Sequence, residues 1–482
     1  VESRGLGDVY KRQPTGCGIG SDAFAIIWDG KHIHGINGSG KSPAAWSPKH
    51  FDRYTSMPEL GWDAITVPGA VDVWSTLAGR FGKLPFAQLF EPAIRYAEEG
   101  FLVTPIIAKL WSEAPRRFIK SPEFGEVFLR GGRAPGAGER FACPQQAKTL
   151  KKIAATNGDT FYRGEIAETI VAHAAATGGK MTVADLAAHR SEWTEPISQE
   201  YNGIVLHELP PNGQGLAALI ALGLLRHHNI NQYPMDSADS IHLQVEAMKI
   251  AFAEAHRHIA EPATMSIEPQ ALLDETFLGK RADEIQMGRA LFPQASIPIE
   301  KGTVYLTSAD DSGMMVSFIQ SNYLGFGSGI VVPGTGISLQ NRGRGFSLEE
   351  GHPNCVDGSK RPYQTIIPGF VTRDDLPVLS FGVMGGHMQP QGHVQIIVRI
   401  FDYGLNPQAA SDAPRWCVTE DLQLALEAGF KDKVVADLAD RGHRIMVDPP
   451  AKIFGGAQLI AKIKDGYCAA SDHRKDGQAM GF

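Results

Sequence analysis

Apolar positions along the first 290 residues follow two different periods. The short apolar runs FAIIW and HIHGI flank Asp29 and Gly30, and this arrangement predicts a β-hairpin. Leu84–Gly100 carries apolar residues at helical spacing but contains Pro92, which predicts a kinked helix or two short helices. Ser240–Arg257 collects apolar residues on one face and predicts another amphipathic helix. This part of the chain therefore mixes strands and helices.

The pattern changes near residue 290. Phe292–Gly302 (FPQASIPIEKG) contains proline and has no period, so it predicts an exposed linker. The alternating runs TVYLTSA, which begins at Thr303, and MMVSFIQSN are joined by a DDSG turn and predict a second hairpin. A further strand is predicted at Pro377–Met384, directly before two glycines. The tail predicts a helix over 431–441 and a strand at IMVDPP.

One stretch satisfies a nucleotide-binding pattern. Gly35–Trp46 reads GINGSGKSPAAW, and its first eight residues fit G-x-x-x-x-G-K-[ST]. A phosphate loop needs a parallel strand before it and a helix beginning at the lysine, whereas this stretch follows a predicted hairpin and is broken by Pro43 and Pro48. We interpret it as a glycine-rich turn.

Composition excludes several classes of partner. The 482 residues carry 21% charged and 43% hydrophobic side chains with a net charge of −7, so no basic excess favours nucleic acid. No apolar run reaches membrane-spanning length. The five cysteines have no C-x-x-C spacing and indicate neither a zinc site nor a disulfide framework. We therefore expect no nucleic acid, membrane, cofactor or metal partner.

The first 13 residues, VESRGLGDVYKRQ, show no signal-peptide pattern and no periodicity. We expect residues 1–13 to be a foreign or disordered leader. The localisation stays open, with the cytoplasm favoured over the periplasm.

Histidines suggest a second kind of site. In GGHMQPQGH, His387 and His393 follow two glycines, and either a metal site or a polar pocket lining would use them. The pocket lining is favoured because no acidic residue has ligand spacing. His242, His256 and His258 are predicted on the surface of their helix.

The linker gives Thr303 a chemical significance. A cut between Gly302 and Thr303 would leave an N-terminal threonine, whose hydroxyl is a nucleophile and whose own α-amine, with a pKa of about 8, is a base. From these residues alone, an ordinary strand threonine remains the alternative.

Several motifs together carry a family resemblance. Ile65–Phe101 (ITVPGAVDVWSTLAGRFGKLPFAQLFEPAIRYAEEGF) and Asn322–Asn341 (NYLGFGSGIVVPGTGISLQN) are followed in order by KRPYQTIIP, MGG and DAPRW. From about Pro14 onward the chain resembles the gamma-glutamyltranspeptidase family of N-terminal-nucleophile hydrolases. The resemblance implies an α+β fold, a four-layer αββα sandwich, and self-cleavage into regions 14–302 and 303–482 that stay associated. It also implies amide hydrolysis or acyl transfer on a small-molecule amide through an acyl-enzyme.

The resemblance also assigns catalytic residues. Thr303 falls on the family's nucleophile, and Gly385 and Gly386 fall on its oxyanion-hole pair. One oxyanion donor is typically worth about 3 kcal/mol of barrier. Asn322 matches an active-site asparagine that would orient the substrate or the new N-terminus, with a turn-forming role as the alternative.

The departures concern substrate recognition. Ser39 stands where the family's carboxylate-binding arginine is expected, and Gly345 where its amine-binding aspartate is expected. Arg342 replaces an acidic or glutamine position, while Gln364 and Thr365 replace a Ser-Ser pair. The resemblance therefore implies the same chemistry on a substrate other than glutathione, as in the acylase and oxamate-amidohydrolase-like branch.

Three questions stay open at this point. Arg342 is expected to grip a substrate carboxylate, with a salt bridge to Glu349 or Glu350 as the alternative. The alternatives to the proposed activity are a gamma-glutamyltransferase or glutathione hydrolase proper, and an unprocessed, inactive relative that serves as a binding protein. A homodimer of processed units is one open arrangement.

Overall fold

The computed structural model describes residues 15–293 and 302–481. Its strands are β1 (Asp22–Trp28), β2 (Ile33–Asn37), β3 (Phe101–Leu102), β4 (Arg140–Phe141), β5 (Glu192–Thr194), β6 (Ile197–Tyr201), β7 (Ile204–Glu208), β8 (Val304–Ala309), β9 (Met315–Ser321), β10 (Val331–Val332), β11 (Ile337–Ser338), β12 (Gly369–Arg373), β13 (Leu376–Met384), β14 (Trp416–Val418), β15 (Gln423–Leu426), β16 (Arg444–Ile445), β17 (Gly456–Ile463) and β18 (Gly466–Ser471).

The α-helices are Ala70–Phe81, Phe86–Leu89, Glu91–Glu99, Pro105–Trp111, Ala114–Arg117, Pro122–Phe128, Pro144–Ala155, Asp159–Arg163, Glu165–Thr177, Val183–Ala188, Gly215–Leu225, Ala238–His258, Glu275–Ala282, Met388–Ile397, Pro407–Asp412 and Asp432–Asp440. Shorter 3-10 segments are Pro48–Phe51, Trp62–Ala64, Ile230–Gln232, Pro262–Thr264, Pro269–Leu273, Arg342–Gly345, Glu420–Leu422 and Ala451–Phe454, and a π-helical turn covers Val398–Asp402.

Two large sheets organise these elements. The first has the strand order β5-β2-β1-β9-β8, and the second has the order β18-β17-β13-β12-β7-β6. Every neighbouring pair in both sheets is antiparallel. Each sheet therefore contains strands from both sides of the predicted linker.

The two sheets face each other through β8 and β13. The hydroxyl oxygens of Thr307 and Ser380 lie 2.7 Å apart, and a Cβ on Gly382 would lie 2.4 Å from the ring of Tyr305. The start of β8 therefore lies near the end of β13. The residue before β8, Thr303, is brought to the glycines that follow β13.

Side-chain alternation divides each central strand between two cores. On β1, Phe24, Ile26 and Trp28 belong to the core between the sheets, whereas the odd-numbered apolar residues face the helices around Ala70–Phe81. On β13, the odd-numbered Leu379, Phe381 and Val383 pack against helices Gly215–Leu225 and Ala238–His258. Both faces of these strands are buried, which explains their nearly continuous apolar sequences.

The main predicted elements are confirmed. The FAIIW and HIHGI runs form the β1–β2 hairpin, and the run beginning at Thr303 forms the β8–β9 hairpin. The stretch containing Pro92 is two helices, Phe86–Leu89 and Glu91–Glu99. The predicted helix in the tail is Asp432–Asp440.

Other expectations need correction or fall outside the structure. IMVDPP contributes only the end of the two-residue strand β16, because Asp448 has a left-handed φ of 47° and the two prolines after it cannot donate ladder hydrogen bonds. Ala238–His258 is longer than predicted and is buried on nearly all sides. Most of the predicted linker Phe292–Gly302, and nearly all of the predicted leader, lie outside the described residues. No helix within 15–293 and 302–481 combines the length and apolar character needed to cross a bilayer.

The glycine-rich turn has no phosphate cradle. Gly35 is part of β2 and pairs with Thr194 of β5. A Cβ on Gly40 would lie 1.5 Å from the carbonyl oxygen of Val67, so the loop is pressed against its own protein. The chain after Lys41 is irregular and enters the 3-10 segment Pro48–Phe51. The stretch is therefore structural.

Candidate active site

Thr303 lies at the buried end of β8, with 4% of its surface exposed. The preceding Gly302 has a φ of 131°, a conformation that side-chain-bearing residues rarely adopt. A Cβ there would lie 2.9 Å from the carbonyl oxygen of Tyr323 and 3.0 Å from the nitrogen of Gly325. Position 302 therefore requires glycine.

Ser321 connects the two residues of the predicted scissile bond. Its Oγ donates to the carbonyl oxygen of Gly302 at 2.5 Å. The same Oγ accepts hydrogen bonds from Thr303 Oγ1 at 3.3 Å and from the nitrogen of Tyr323 at 2.8 Å. The Thr303 hydroxyl and the carbonyl of the preceding residue thus share one serine as a hydrogen-bond partner.

The sequence reasoning missed Ser321, although the hairpin contained the signal. Val304 pairs with Gln320, and one further step along the ladder places Thr303 opposite Ser321. A hairpin register taken from the DDSG turn would have found it.

The predicted oxyanion glycines directly follow β13. Gly385 has a φ of 131° and Gly386 a φ of 61°. Gly385 lines a cavity of about 1080 Å³ together with Thr303. The carbonyl oxygen of Gly386 accepts a hydrogen bond from Gln214 Nε2 at 2.9 Å. Both glycines therefore adopt backbone conformations that fix the direction of their peptide groups.

Arg342, Gln364 and Thr365 form a buried layer behind the cavity. Arg342 Nη1 donates to Thr365 Oγ1 at 2.8 Å. The carbonyl oxygen of Thr365 accepts from Gln214 Nε2 at 2.6 Å, so one glutamine amide bridges Thr365 and Gly386. The layer is thereby connected to Gly386.

Arg342 itself is 1% exposed. Its guanidinium carbon lies 4.8 Å from the centre of the Tyr323 ring. Glu349 and Glu350, the alternative partners considered from the sequence, are exposed, whereas the charge of Arg342 acts on the buried Asp22.

Asn322 is fully buried. Its Oδ1 accepts from Ser21 Oγ at 2.9 Å, and its backbone nitrogen donates to the carbonyl oxygen of Gly16 at 2.9 Å. Its Nδ2 has no hydrogen-bond acceptor in the part of the chain that the structure describes. The Nδ2 group of Asn322 is thus available to donate a hydrogen bond, next to the strand that follows Thr303.

The cavity exposes only part of the predicted set. Among residues 15–293 and 302–481, its wall includes Thr303 and Gly385 but not Asn322, Arg342, Gln364, Thr365 or Gly386. The wall mixes charged and apolar groups, including Ile106, Leu110, Arg117, Phe118, Met384 and Lys475. The cavity can therefore hold a substrate with both polar and apolar parts.

The two positions that depart from the family pattern are filled. Ser39 is buried and its Oγ accepts from Asn212 Nδ2 at 3.0 Å. A Cβ on Gly345 would lie 2.4 Å from the carbonyl oxygen of Tyr363. Neither position presents a charge to a substrate.

Asp22 adds a buried carboxyl that the sequence reasoning did not select. It pairs with Ser321 across β1 and β9 and accepts from Gln364 Nε2 at 3.0 Å. Burial raises its pKa to about 7, although Arg342 and a hydrogen bond from the nitrogen of Gly69 lower it. The carboxyl therefore titrates near neutral pH.

This shift predicts a pH dependence of stability. The unfolded carboxyl releases its proton near pH 4 and the folded one near pH 7. The favourable contribution is complete below about pH 4, declines as the pH rises, and is lost above about pH 7, with a slope of at most about 1.4 kcal/mol per pH unit. Urea unfolding of a Thr303→Ala background should show this decline, and adding Asp22→Asn should remove it. Equal slopes between pH 4 and pH 7 in the two proteins would refute the assignment.

His242 is not on the surface as predicted, because its helix is buried on that side as well. Its Nδ1 lies 2.8 Å from His443 Nε2 and its Nε2 lies 2.9 Å from the carbonyl oxygen of Gln286. Together with Glu246, these histidines bring ligand atoms within 4.8 Å of one another. The Lys249 ammonium, however, donates to Glu246 at 2.8 Å and to His443 Nδ1 at 3.3 Å, and so fills the place a metal would take.

The two histidines after the glycines do not line the cavity as expected. His393 is fully buried, and its Nδ1 lies 2.5 Å from Glu208 Oε1, a partner that comes from a distant strand. His387 is buried between the rings of Tyr363 and Phe252 rather than in the cavity wall. His256 is exposed, as predicted.

Comparison with known families gives the class of this protein, an amide hydrolase. The family model for gamma-glutamyltranspeptidase matches residues 12–482. The chain therefore belongs to the gamma-glutamyltranspeptidase family.

Individual relatives indicate which branch of the family the chain resembles. The chain is 36% identical to the glutathione hydrolase-like YwrD proenzyme of Bacillus subtilis, with 97% of this chain and 91% of the relative covered. It is 34% identical to the oxamate amidohydrolase proenzyme of Klebsiella pneumoniae, with 96% and 90% covered. The crystal structure of cephalosporin acylase from Bacillus halodurans matches with a TM-score of 0.93 and 45% identity, covering 99% of this chain and 90% of that one. These similarities support the acylase-like branch.

Proposed function

We propose that this protein is a self-processing amidohydrolase that cuts its own chain between Gly302 and Thr303 and then uses Thr303 as its nucleophile. The observation that carries the proposal is the pair of hydrogen bonds through Ser321. One orients the Thr303 hydroxyl, and the other polarises the Gly302 carbonyl. Glycine at 302 leaves that carbonyl open to attack.

Self-cleavage follows from this arrangement. Thr303 Oγ1 attacks the Gly302 carbonyl carbon, the C–N bond breaks, and the Thr303 nitrogen gains the proton that the hydroxyl loses. Water then hydrolyses the ester, which leaves a carboxylate on Gly302 and a free hydroxyl and α-amine on Thr303. No group outside the chain is consumed except water.

Turnover uses the same hydroxyl. The new α-amine, with a pKa of about 8, accepts the hydroxyl proton as Thr303 attacks a substrate amide. Backbone N–H groups of Gly385 and Gly386 stabilise the oxyanion, the amine departs with a proton, and an ester remains on Thr303. Attack by water gives hydrolysis, and attack by an amine gives acyl transfer.

The remaining assignments have supporting roles. Asn322 orients the substrate, because its buried Nδ2 donor has no acceptor among the described residues. Arg342, Gln364 and Thr365 hold the layer behind the glycines. Regions 14–302 and 303–482 form one folded unit after cleavage. A helix–sheet–sheet–helix order, the four-layer αββα sandwich, is supported by the alternation of β1 and β13 between two cores.

The substrate we propose is a small amide other than glutathione. Ser39 and Gly345 present no charge for an α-amino acid head, which a glutathione hydrolase has to hold. Oxamate and cephalosporins are the substrates in the names of two relatives. Both names indicate amide cleavage outside gamma-glutamyl chemistry.

A denaturing gel, N-terminal sequencing and an amide panel test the proposal. We expect two bands, the smaller beginning at Thr303, and faster hydrolysis of other small amides than of glutathione or gamma-glutamyl anilide. A single intact band from folded, monodisperse protein would favour the inactive binding relative. Efficient gamma-glutamyl transfer would favour the glutathione hydrolase alternative.

Ser321→Ala should slow self-cleavage about 10- to 100-fold. The variant removes the donor to the Gly302 carbonyl and the acceptor of the Thr303 hydroxyl, and a hydrogen bond in such a site is worth about 1.5–3 kcal/mol. The cleaved fraction, followed on gels after synthesis, measures the effect. Ser317→Ala removes a serine from the same strand face and should be cleaved at the normal rate, and an unchanged rate in Ser321→Ala would contradict the assigned role.

A further inference from the structure

Lys475 lies in the wall of the catalytic cavity with Thr303 and Gly385. Its stem runs across Gly456, where an added Cβ would lie 2.4 Å from Lys475 Cγ and 2.7 Å from Cε. The absence of a side chain on Gly456 therefore provides the groove that holds the lysine.

The pairing of β13 with β17 gives the direction of this groove. Ser380 and Gly382 face β8, because one contacts Thr307 and the other would contact Tyr305. Met384 therefore faces the same way, and it is paired with Gly456. The stem of Lys475 thus lies between the two sheets, at the end where Thr303 is found.

Three other cations of the cavity wall have carboxylate partners, whereas Arg95 is exposed. Lys452 Nζ lies 2.8 Å from Glu113. Arg117 and Arg344 lie 3.9 Å and 4.0 Å from Glu59. These charges are balanced within the wall.

Lys475 is different. Its ammonium forms no hydrogen bond or ion pair with any residue among 15–293 and 302–481. The nearby Asp472 is bound to Arg415 at 2.6 Å, and Asp476 accepts from the nitrogen of Ile106 at 3.1 Å. Burial lowers the pKa of Lys475, and the charge of Arg415 lowers it further, although the charges of Asp472 and Asp476 raise it. A partly buried ammonium that has no hydrogen bond or ion pair, in the same cavity as Thr303, is suited to bind an anion that arrives with the substrate.

We propose that Lys475 forms an anion subsite that binds a carboxylate of the amide substrate. This inference rests on the proposed function, because it requires Thr303 to be the reacting residue. The substrate is then a small amide with a carboxylate on either its acyl group or its amine. Arg342, which lies behind the wall, would in that case stabilise the site without gripping the substrate.

Matched anilides test the proposal and identify the side of the carboxylate. Succinyl, glutaryl and adipyl p-nitroanilides are compared with butyryl, pentanoyl and hexanoyl p-nitroanilides, and N-acetyl-4-aminobenzoate with acetanilide. We expect one carboxylate series to be preferred, and Lys475→Met to lower kcat/KM for that series about 10- to 100-fold through KM, with less than a threefold change for neutral substrates. Lys475→Arg should retain most of the preference, and Lys464→Met, at the exposed β17–β18 turn, should behave like the wild type.

Three results would overturn the assignment of Lys475 as the anion subsite. A wild-type enzyme without preference for carboxylates overturns the inference, whatever the variants do. Retention of the preference in Lys475→Met, or its loss in Arg342→Gln instead, also overturns it and in the second case returns the role to Arg342. If Lys475→Met does not fold, loss of the preference in Lys475→Gln, tested as cleaved protein, carries the same weight. Failure of the proposed function is seen separately, as an intact chain on the gel.

Discussion

Thr303→Ala should leave the chain intact and eliminate amide hydrolysis. In the proposed mechanism the hydroxyl is the attacking group in both self-cleavage and turnover, and residues 15–293 and 302–481 offer no second hydroxyl bonded to Ser321 in the same position. A denaturing gel should show a single band for the 52.1 kDa chain, while the wild type gives two. Hydrolysis of the preferred anilide should fall to background.

Two variants control this result. Thr303→Ser retains a hydroxyl and should still be cleaved. Thr307→Ala removes a hydroxyl from the same strand, where it contacts Ser380, and should be cleaved like the wild type. Cleavage of Thr303→Ala at the same bond would show that another residue is the nucleophile.

Gly385→Val and Gly386→Val should each lower the rate of acylation by at least about 10²-fold, the effect of losing one oxyanion donor. Both glycines have positive φ, and a Cβ on Gly385 would lie 3.1 Å from the Cα of Gly455. A side chain therefore turns the peptide N–H away from the oxyanion. Burst kinetics with p-nitroanilides measure acylation directly, and self-cleavage should be impaired less.

Gly429→Val separates this effect from general strain. Gly429 has a φ of 122° and a Cβ there would lie 3.3 Å from Pro414, so the backbone cost resembles that at Gly385. It does not line the cavity. Similar losses of activity in Gly385→Val and Gly429→Val, or normal acylation in folded Gly385→Val, would contradict an oxyanion role.

The sequence predicted the elements whose signals are local. Apolar alternation around the DDSG turn placed the hairpin that begins at Thr303, and Pro92 divided a helix at the expected place. A separate apolar run, Pro377–Met384, put Gly385 at the end of a strand. Motif order then identified the family over the whole length.

Contacts between distant segments could not be predicted in this way. His242 was placed on a surface because helical periodicity gives one apolar face, whereas this helix is packed on several sides. Lys475 follows β18 in the tail, and only the pairing of Gly456 with Met384 brings it to Thr303. Selecting Asp22 as a site residue would have required knowing that β1 lies beside β9. These are properties of topology, which residue periodicity does not record.

Each of the two large sheets combines strands from both sides of residue 302, and this affects how the cleaved molecule holds together. A cut after residue 302 leaves β1 and β7 on one fragment and their neighbours β9 and β12 on the other. The backbone hydrogen bonds of the β1–β9 and β7–β12 pairs stay intact. Neither product can depart without opening a sheet through its middle, so partners should not exchange between molecules. Cleaved wild-type protein mixed with cleaved Gly385→Val protein should therefore yield no hybrid molecules. Each molecule should keep, until it is degraded, the two fragments that came from its own chain.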